Sequence, residues 1–595
     1  MKKASEHYPE GHHQEKIIVR RAAADGAVLP AEIHPALRRI YAARHVSCAQ
    51  ELEKTLERLP PAAQLRGIEP AVDLLCAALR DNKRILIVAD FDADGATSCA
   101  VAVRALRLLG ASDVRFVVPN RFEFGYGLTP EIVAVAAQQE PDLLITVDNG
   151  ISSIDGVAAA RRHGMQVLIT DHHLPGPVLP AADAIVNPNQ PGDSFPSKNL
   201  AGVGVIFYVM LALRARLRES GWFESRGIPA PNLAQLLDLV ALGTVADVVP
   251  LDHVNRILVS QGLARIRAGA CCPGIRALLE VAGRPRERIS ASDLGFAAGP
   301  RLNAAGRLDD MALGISCLLT DSDLEAQTMA RQLDHLNRER RSIETQMQDQ
   351  ALTVLADLPM DDGATLPAGL CLFDESWHQG VIGILASRIK DRWHRPVIAF
   401  APASASINDT GEIKGSARSI PGIHIRDVLD TVAATHPGLL SKFGGHAMAA
   451  GLTLKHEHYD AFSKAFDEEV RRQLGDNALQ GIVLSDGELS ASDISLDLAE
   501  TLRNGGPWGQ GFPEPVFDGQ FQIVNQRIVG EKHLKMVLKI AGDTRIFDAI
   551  AFNASDSAAF LEKSQQSHIA YKLDVNEYQG RRSVQLIVEH IAGPE

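Results

Sequence analysis

Residues Ile85 to Ser98 read ILIVADFDADGATS: an unbroken apolar run that opens directly onto three aspartates at alternate positions, Asp90, Asp92 and Asp94. The run has the length and the branched side chains of a buried strand. Three carboxylates held this close repel one another unless positive charge sits among them. A solvated acidic turn is the ordinary explanation of such a stretch. What surrounds it decides.

From about Lys83 to Val186, short apolar runs alternate with helical stretches. RILIVA, VRFVVP, DLLITV, QVLIT and AIV read as strands, and TSCAVAVRALRLLG, TPEIVAVAAQQ and IDGVAAARRHG have helical spacing. That alternation predicts a parallel sheet with crossover helices, and sites in such sheets lie beyond the carboxyl ends of the strands. Two more strands end on ligand-type residues: LLITVDNG on Asp148 and VLITDHH on Asp171, His172 and His173. An isolated aspartate at a strand end is usually a cap. Separate strand ends agreeing at one sheet edge, with paired histidines at one of them, point instead to a metal site. His12-His13, which follow no strand, carry no such expectation. Carboxylates and imidazoles without cysteine suit manganese or magnesium better than structural zinc. More carboxylates than one ion needs suggests two ions, the arrangement that clamps the attacking and leaving oxygens of a phosphate displacement.

At 595 residues the chain exceeds a single core, and length alone suggests about three to five domains. Its 46% hydrophobic and 22% charged residues are those of a soluble globular protein, and no apolar run is long enough to cross a membrane. The polar opening MKKASEHYPEGHHQEKIIVRRAAADG lacks the apolar core of a signal peptide and reads as a disordered arm. Seven scattered cysteines without a Cys-x-x-Cys pair suggest a reducing cytoplasm. A net charge of −13 argues only weakly against a nucleic-acid partner, because local patches set the contact field.

Residues from Leu200 to about Thr320 are helix-rich. Ser322-Asp-Leu-Glu325 reads as a capping box for a long charged helix ended by Pro359. Its apolar positions, Leu324, Leu333, Leu336, Ile343 and Met347, are sparse enough for an interdomain strut. A second α/β unit begins at LCLFDESWHQGVIGILASRI, and from about Ile482 period-two strands indicate a small barrel. The expected boundaries are an N-terminal, partly disordered arm (1–45), a catalytic domain (46–320), a connecting helix (321–360), a second α/β domain (361–475) and a barrel (476–595).

DFDADG, VDNG, TDHH and LGTVADVVPL, in this order, resemble the signature motifs of the DHH phosphoesterase superfamily, and within it those of its bacterial single-strand-specific 5′→3′ exodeoxyribonucleases. The resemblance covers nearly everything from about Asp81 onward. It implies an α/β fold: a parallel-sheet DHH domain joined by a long helix to a DHH-associated α/β domain, plus a C-terminal OB-like barrel. By this resemblance Asp90, Asp92 and Asp94 are the acidic ligands of the first motif and Asp148 is shared between two manganese or magnesium ions. His172 and Asp247 complete the ligand set, and His173 faces the substrate phosphate. Asp171 is read as orienting a histidine. GPRLNAAGRLDD reads as a loop carrying Arg301, Asn303 and Arg307 toward substrate phosphates. GEIKGSARSIPG reads as a glycine-flanked phosphate cradle with Lys414, Ser416, Arg418 and Ser419, and KFGGHAMAAG supplies His446. Trp377 and His378 either touch the strand or pack. On the barrel, Leu534, Met536, Leu538 and Ile540 would face the core while Lys535 and Lys539 face out, and Tyr578, Arg581 and Arg582 sit at a hairpin.

The resemblance implies a monomeric cytoplasmic enzyme of recombination and repair that degrades single-stranded DNA from the 5′ end to mononucleotides. Its expected associates are single-strand-binding protein, RecQ-type helicases and recombination mediators. If the long helix sets the two α/β units opposite each other, a cleft admitting one strand would follow. A phosphodiesterase of short oligonucleotides or cyclic dinucleotides is the alternative, though such relatives are usually shorter. A catalytically dead scaffold is the third reading, and such relatives lose acidic ligands that are all present here.

Overall fold

Within the expected N-terminal arm one strand is described: β1 (Ile17–Arg20) pairs in parallel with residues Ile482–Ser485. Its apolar triplet was visible in the sequence; its partner, near the other end of the chain, was not. The structure, a computed structural model, describes residues 16–22, 28–119, 127–356, 367–404, 411–475, 479, 481–530, 532–540, 542–554, 566–578 and 580–592. His12, His13 and Pro359 lie outside them. Two units emerge: a first of Ala22–Asn337 with Ile494–Pro515, and a second of Met1–Arg21, Arg338–Asp493 and Val516–Glu595.

In the first unit all five expected strands form: β2 (Ile85–Ala89), β3 (Val114–Val117), β4 (Leu143–Val147), β5 (Gln166–Thr170) and β6 (Ala184–Val186). They make one parallel sheet in the order β3-β2-β4-β5-β6. β2 and β4 are buried at every residue, as strands covered on both faces must be. The order reverses between β2 and β4, so the crevice beyond their carboxyl ends is the topological switch point where such sheets bind ligands. Helix Ala93–Leu108 packs against helices Gly202–Glu219 and Leu237–Ala246 at that end of the sheet.

The long helix runs Asp323–Ala356, and the boundary between the units falls within it. Ser322 Oγ accepts from Glu325 N at 3.3 Å, but Glu325 turns to the Thr320 hydroxyl at 2.6 Å, so only half of the expected capping box forms. Leu324, expected on the apolar stripe, is 75% exposed. The buried stripe is Ala326, Ala330 and Leu333, then Asp334, Asn337, Arg340 and Glu344, then Met347, Ala351 and Leu355. Its polar middle is why the apolar count looked sparse.

The second unit contains β7 (Leu370–Phe373), β8 (Val397–Pro402), β9 (Glu412–Arg418), β10 (Lys442–Gly445) and β11 (Ala449–Lys455), in the order β10-β11-β9-β8-β7. After β12 (Ile482–Ser485) come β13 (Phe517–Val529), β14 (His533–Ile540), β15 (Ile546–Ala551), β16 (Ser567–Tyr578) and β17 (Arg581–Ile591). These last five close a barrel in the order β13-β14-β15-β17-β16, with β15 and β17 parallel. Leu534, Met536 and Leu538 are buried in it and Lys535 and Lys539 are not, as the alternation requires. No helix among the described residues is long and apolar enough to cross a membrane.

Candidate metal centre

Asp90 follows β2 directly, and its Oδ1 accepts from Phe91 N at 2.8 Å. Asp92 caps helix Ala93–Leu108: its Oδ1 accepts from Asp94 N at 2.9 Å and from Gly95 N at 3.0 Å. The acidic triplet therefore folds into the first turn of a helix, and the capping and ligand readings of Asp92 are compatible because one oxygen serves the cap. Gly95 is needed where it stands, since a Cβ there would fall 2.4 Å from the Asp90 carbonyl oxygen. Asp94 enters the same turn and accepts from Gly202 N at 2.7 Å and Val203 N at 2.9 Å, at the opening of helix Gly202–Glu219.

Asp148 ends β4 with φ of 63°, a left-handed conformation sparsely used outside glycine. Such strain is typical where a side chain must be aimed. Asp171, ending β5, is spent on orientation: its Oδ1 accepts from His172 N at 2.7 Å and meets His173 Nδ1 at 2.8 Å, while Oδ2 accepts from Ile151 N at 2.9 Å. Asp247 sits just past helix Leu237–Ala246 as its C-cap.

These side chains converge. Ligand atoms of Asp90, Asp92 and Asp148 lie within 4.8 Å of one another, as do those of Asp94, His172 and Asp247, and those of Asp148, His172 and His173. His172 Nε2 is 3.2 Å from Asp148 Oδ1 and 3.5 Å from Asp247 Oδ2. Among the described residues, His172 Nε2 and Asp247 Oδ2 are both buried without a hydrogen-bond partner. Orphaned buried donors and acceptors are rare in a finished interior, and these are of the kind a hard divalent cation takes. The residues fit the ion.

Electrostatics agree. Burial and then the neighbouring carboxylates push Asp90 and Asp148 well above the usual carboxylate range, and raise Asp94 and Asp247 to about 7. Burial alone would lower His173, but its bond to Asp171 and the charges of Asp171, Asp247 and Asp90 together raise it to about 9. Burial pushes Asp171 up, but its bond to His173, the charge of both histidines and the Ile151 amide together hold it below its ordinary value. His172 is lowered by burial and by its cationic neighbour.

The remaining expected residues divide. GPRLNAAGRLDD is not a loop but helix Gly299–Leu308, laid against the acidic turn so closely that a Cβ on Gly306 would meet the Phe91 carbonyl oxygen at 1.9 Å. Asn303 Oδ1 accepts from Ala93 N at 2.8 Å, bracing that turn. Arg301 is buried on Asp334, with Nε and an Nη 3.0 and 2.8 Å from Oδ1, which makes it a tie to the long helix and not a group aimed at substrate. Arg307 is half-buried at the helix's last turn.

In the second unit the expected cradle lies on the strand β9. Lys414, Ser416 and Arg418 share one face of β9, and Ser419 is buried with its hydroxyl on the Ile423 carbonyl oxygen at 2.7 Å. An Arg418 Nη donates to Ser416 Oγ at 3.1 Å and to the Ala417 carbonyl oxygen at 2.8 Å. Gly383, in the first turn of helix Ile382–Trp393, leaves room for both, since a Cβ there would fall 2.9 Å from each. His446 is exposed at the turn between β10 and β11. Trp377 packs, buried, with its indole N–H on Gln350 at 3.0 Å. The Tyr578 side chain lies outside the described residues.

Three asparagines were missed. Asn187 and Asn189 donate to the carbonyl oxygens of His173 and His172, at 2.9 and 2.6 Å, and hold the histidine loop. Asn149 ties β2 to β4 through the Val88 and Val147 carbonyl oxygens. In the sequence VNPNQ reads only as a turn; nothing local says that its amides reach another strand's loop.

Family models match in the same order. A DHH family N-terminal domain model covers residues 84–244, a DHHA1 domain model 366–472 and a RecJ OB domain model 485–590. The single-stranded-DNA-specific exonuclease RecJ of Escherichia coli (strain K12) is 55% identical over 573 residues, which are 96% of this chain and 98% of that protein. Its namesake from Dickeya dadantii (strain 3937) is 56% identical over 574 residues, 96% and 98% of the two chains. Among solved structures, RecJ of Thermus thermophilus in complex with Mn2+ matches with a TM-score of 0.77 at 31% identity, covering 95% of this chain and 76% of that one. A Mg2+ complex of the same protein matches at 0.72 and 29%, covering 95% and 75%. The chain belongs to the RecJ family of single-stranded-DNA-specific exonucleases.

Proposed function

We propose that this chain is a metal-dependent exonuclease that removes mononucleotides from the 5′ end of single-stranded DNA, using two divalent cations. The observation that carries the reading is the pair of ligand groups at the switch point, Asp90–Asp92–Asp148 and Asp94–His172–Asp247, with Asp148 also beside His172 and His173. Asp148 belongs to two of these groups and would help hold the ions, its left-handed backbone aiming its carboxylate into the cluster.

Bound divalent cations would polarise the scissile phosphate and make a water nucleophilic near neutral pH. The protein's own groups do the rest. Asp92 and Asp94 stay fixed because each has backbone amides to accept from. His173, kept protonated by Asp171, offers a cationic N–H to the phosphate oxygens, where charge builds as the leaving 3′ oxygen departs. Asn303 and Arg307 are assigned to the strand beside the acidic turn, and Arg301 to holding their helix. Ser416 and Arg418 are assigned to the 5′-terminal phosphate and His446 to a strand contact. Among the described residues no carboxylate pairs with Arg418, and burial lowers its pKa; a desolvated guanidinium without a carboxylate suits an anion. The Ser/Arg pair would supply polarity, which two ions alone cannot. Two ions, a cytoplasmic location, and work beside a helicase, a single-strand-binding protein and recombination mediators belong to the same reading.

The test is digestion of strands labelled at either end, single and duplex, with manganese, magnesium or chelator. Release of labelled mononucleotide first from the 5′ end of single strands, and only with a divalent ion, is expected. Equal rates on blunt duplex, or release from the 3′ end, would overturn the reading.

A further inference from the structure

Residues Ala291–Leu308 run as one helical rod, with a π turn at Leu294–Ala298, against the last turn of helix Leu237–Ala246. Glycines set that contact: a Cβ on Gly295 would fall 3.2 Å from a Val245 methyl, and one on Gly299 would fall 3.1 Å from the Ala246 Cβ. Val245 and Ala246 lead straight into Asp247. From Leu294 to Arg307 every residue is buried except Gly295, Phe296, Pro300, Asn303 and Arg307. The last four recur at the spacing of a single helical edge. That edge borders the metal centre, since Asn303 in its middle accepts from Ala93 N of the acidic turn at 2.8 Å. One end of it carries Arg307, and the other carries Phe296, 78% exposed.

A lone apolar side chain on a surface needs no explanation. Phe296 is set apart by its surroundings. Val248, directly after Asp247, is 63% exposed and has φ of 64°; for a β-branched residue that conformation is a genuine outlier. Strained backbone gathers at ligand sites, and so do π turns within helices. Two exposed apolar side chains, a strained residue and a π turn thus fall together around the turn that presents Asp247. At 1.5 Å per residue, Phe296 stands about 10 Å along the edge from Asn303 and about 16 Å from Arg307. That span is the reach of a few nucleotides. The family acts on single-stranded DNA, whose unpaired bases offer bare π faces. A guanidinium for the backbone and an exposed ring for a base, on one edge, is the combination that binds single strands.

We propose that Phe296 is a specificity-determining residue whose ring stacks on one unpaired base a few nucleotides into the strand, with Val248 as the apolar rim beside it. Bases in a duplex are already stacked on one another and have no free face to give, so the ring favours single strands over duplex. The inference rests on the proposed placement of the strand at the acidic turn. It depends neither on which end is digested nor on the number of ions.

The test is anisotropy of 3′-labelled, 5′-phosphorylated (dT)12 bound to the full chain in chelator, repeated with an abasic nucleotide at each position in turn. Wild type should bind about ten-fold more weakly when one particular base, or either of two neighbours, is missing. Phe296→Ala should bind intact (dT)12 about ten-fold more weakly than wild type and be indifferent to that missing base. Phe296→Trp should keep the positional pattern, whereas Phe296→Leu, apolar but without a π face, should lose it. All three variants should melt with wild type, because the ring is exposed. A wild type indifferent to every missing base, or a Phe296→Ala with the wild-type pattern, would overturn the assignment. So would a melting temperature lowered alike in the alanine and leucine variants, which would make the ring structural. Binding is read without cleavage, so any of these results would leave the exonuclease reading standing.

Discussion

Asp148 and Asp518 are each 1% exposed, and they are opposites. Asp148 lies among Asp90, Asp92, Asp94 and Asp247, and burial and those neighbours push it well above the usual range. Asp518, on β13, is pushed up by burial too, but Arg20, Ser485 and His568 bond to it and hold it below its ordinary value. Arg20 Nε reaches both its oxygens at 3.1 Å and His568 Nε2 lies 2.9 Å away. The lesson is that burial of a carboxylate says little; what faces it says which kind it is. A carboxylate faced by donors fastens β1 and β12 to the barrel. A carboxylate faced by its own kind calls for a cation.

The comparison breaks most sharply at Asp148. Asp148→Asn keeps the size and tolerates the left-handed backbone better than alanine would. It should reduce cleavage of single strands by at least about a thousand-fold, the scale of losing the main electrostatic stabiliser. In chelator the same variant should melt at or above the wild-type temperature, since it removes one charge from a repelling cluster. A lower melting temperature with activity retained would make Asp148 a structural residue like Asp518.

Arg418 is the cationic counterpart of Asp148, desolvated and, among the described residues, without a carboxylate. Removing it should weaken cleavage of 5′-phosphorylated strands by on the order of 2–5 kcal/mol if the site is dry, less if it is wet. Strands with a 5′ hydroxyl should suffer much less. Equal losses on both would mean that Arg418 holds the strand generally.

At Asp518 the expectation reverses. Asp518→Asn should leave the rate per folded molecule unchanged and reduce stability to denaturant. Removing a buried partner can cost about 3–5 kcal/mol, but Arg20 is 53% exposed, so roughly 1–3 kcal/mol is expected here. Urea titration followed by circular dichroism measures it.

The same contrast explains what could be read in advance. The parallel sheet and its acidic edge were legible because β2, β4 and β5 are short continuous apolar runs that each end on a ligand-type residue. The stretches around Arg301 and Ser416 were not, because glycine and alanine suit loops, close-packed helices and strands alike. In Gly299–Leu308 glycine permits the approach to Phe91, a reason that exists only in the fold. Arg301 looked like a phosphate ligand until Asp334, on another helix, stood beside it. β1 and the asparagine clamps share the cause: their partners are distant in sequence.

The smallest effect is in the pH dependence of stability, and it separates the two carboxylate classes without any substitution. Asp94 and Asp247 have folded-state pKa values raised to about 7, above their unfolded value near 4. The folded state therefore binds their protons more tightly, so their destabilising effect is full above pH 7 and fades as pH falls toward 4. Asp90 and Asp148 act in the same direction. His172, lowered by burial, opposes them in part, because the unfolded imidazole takes its proton first as pH falls. Asp518, depressed, contributes stability that is lost only below pH 4, outside this range. Between pH 8 and 5 the chelated protein should thus gain a few degrees in melting temperature as pH falls, at about 2–4 °C per kcal/mol. With manganese the trend should flatten or reverse, because cations already neutralise the carboxylates and bind less well as protons compete. Parallel slopes with and without the ion would mean that the acidic edge is paired in some other way, and Asp148 would then resemble Asp518 after all.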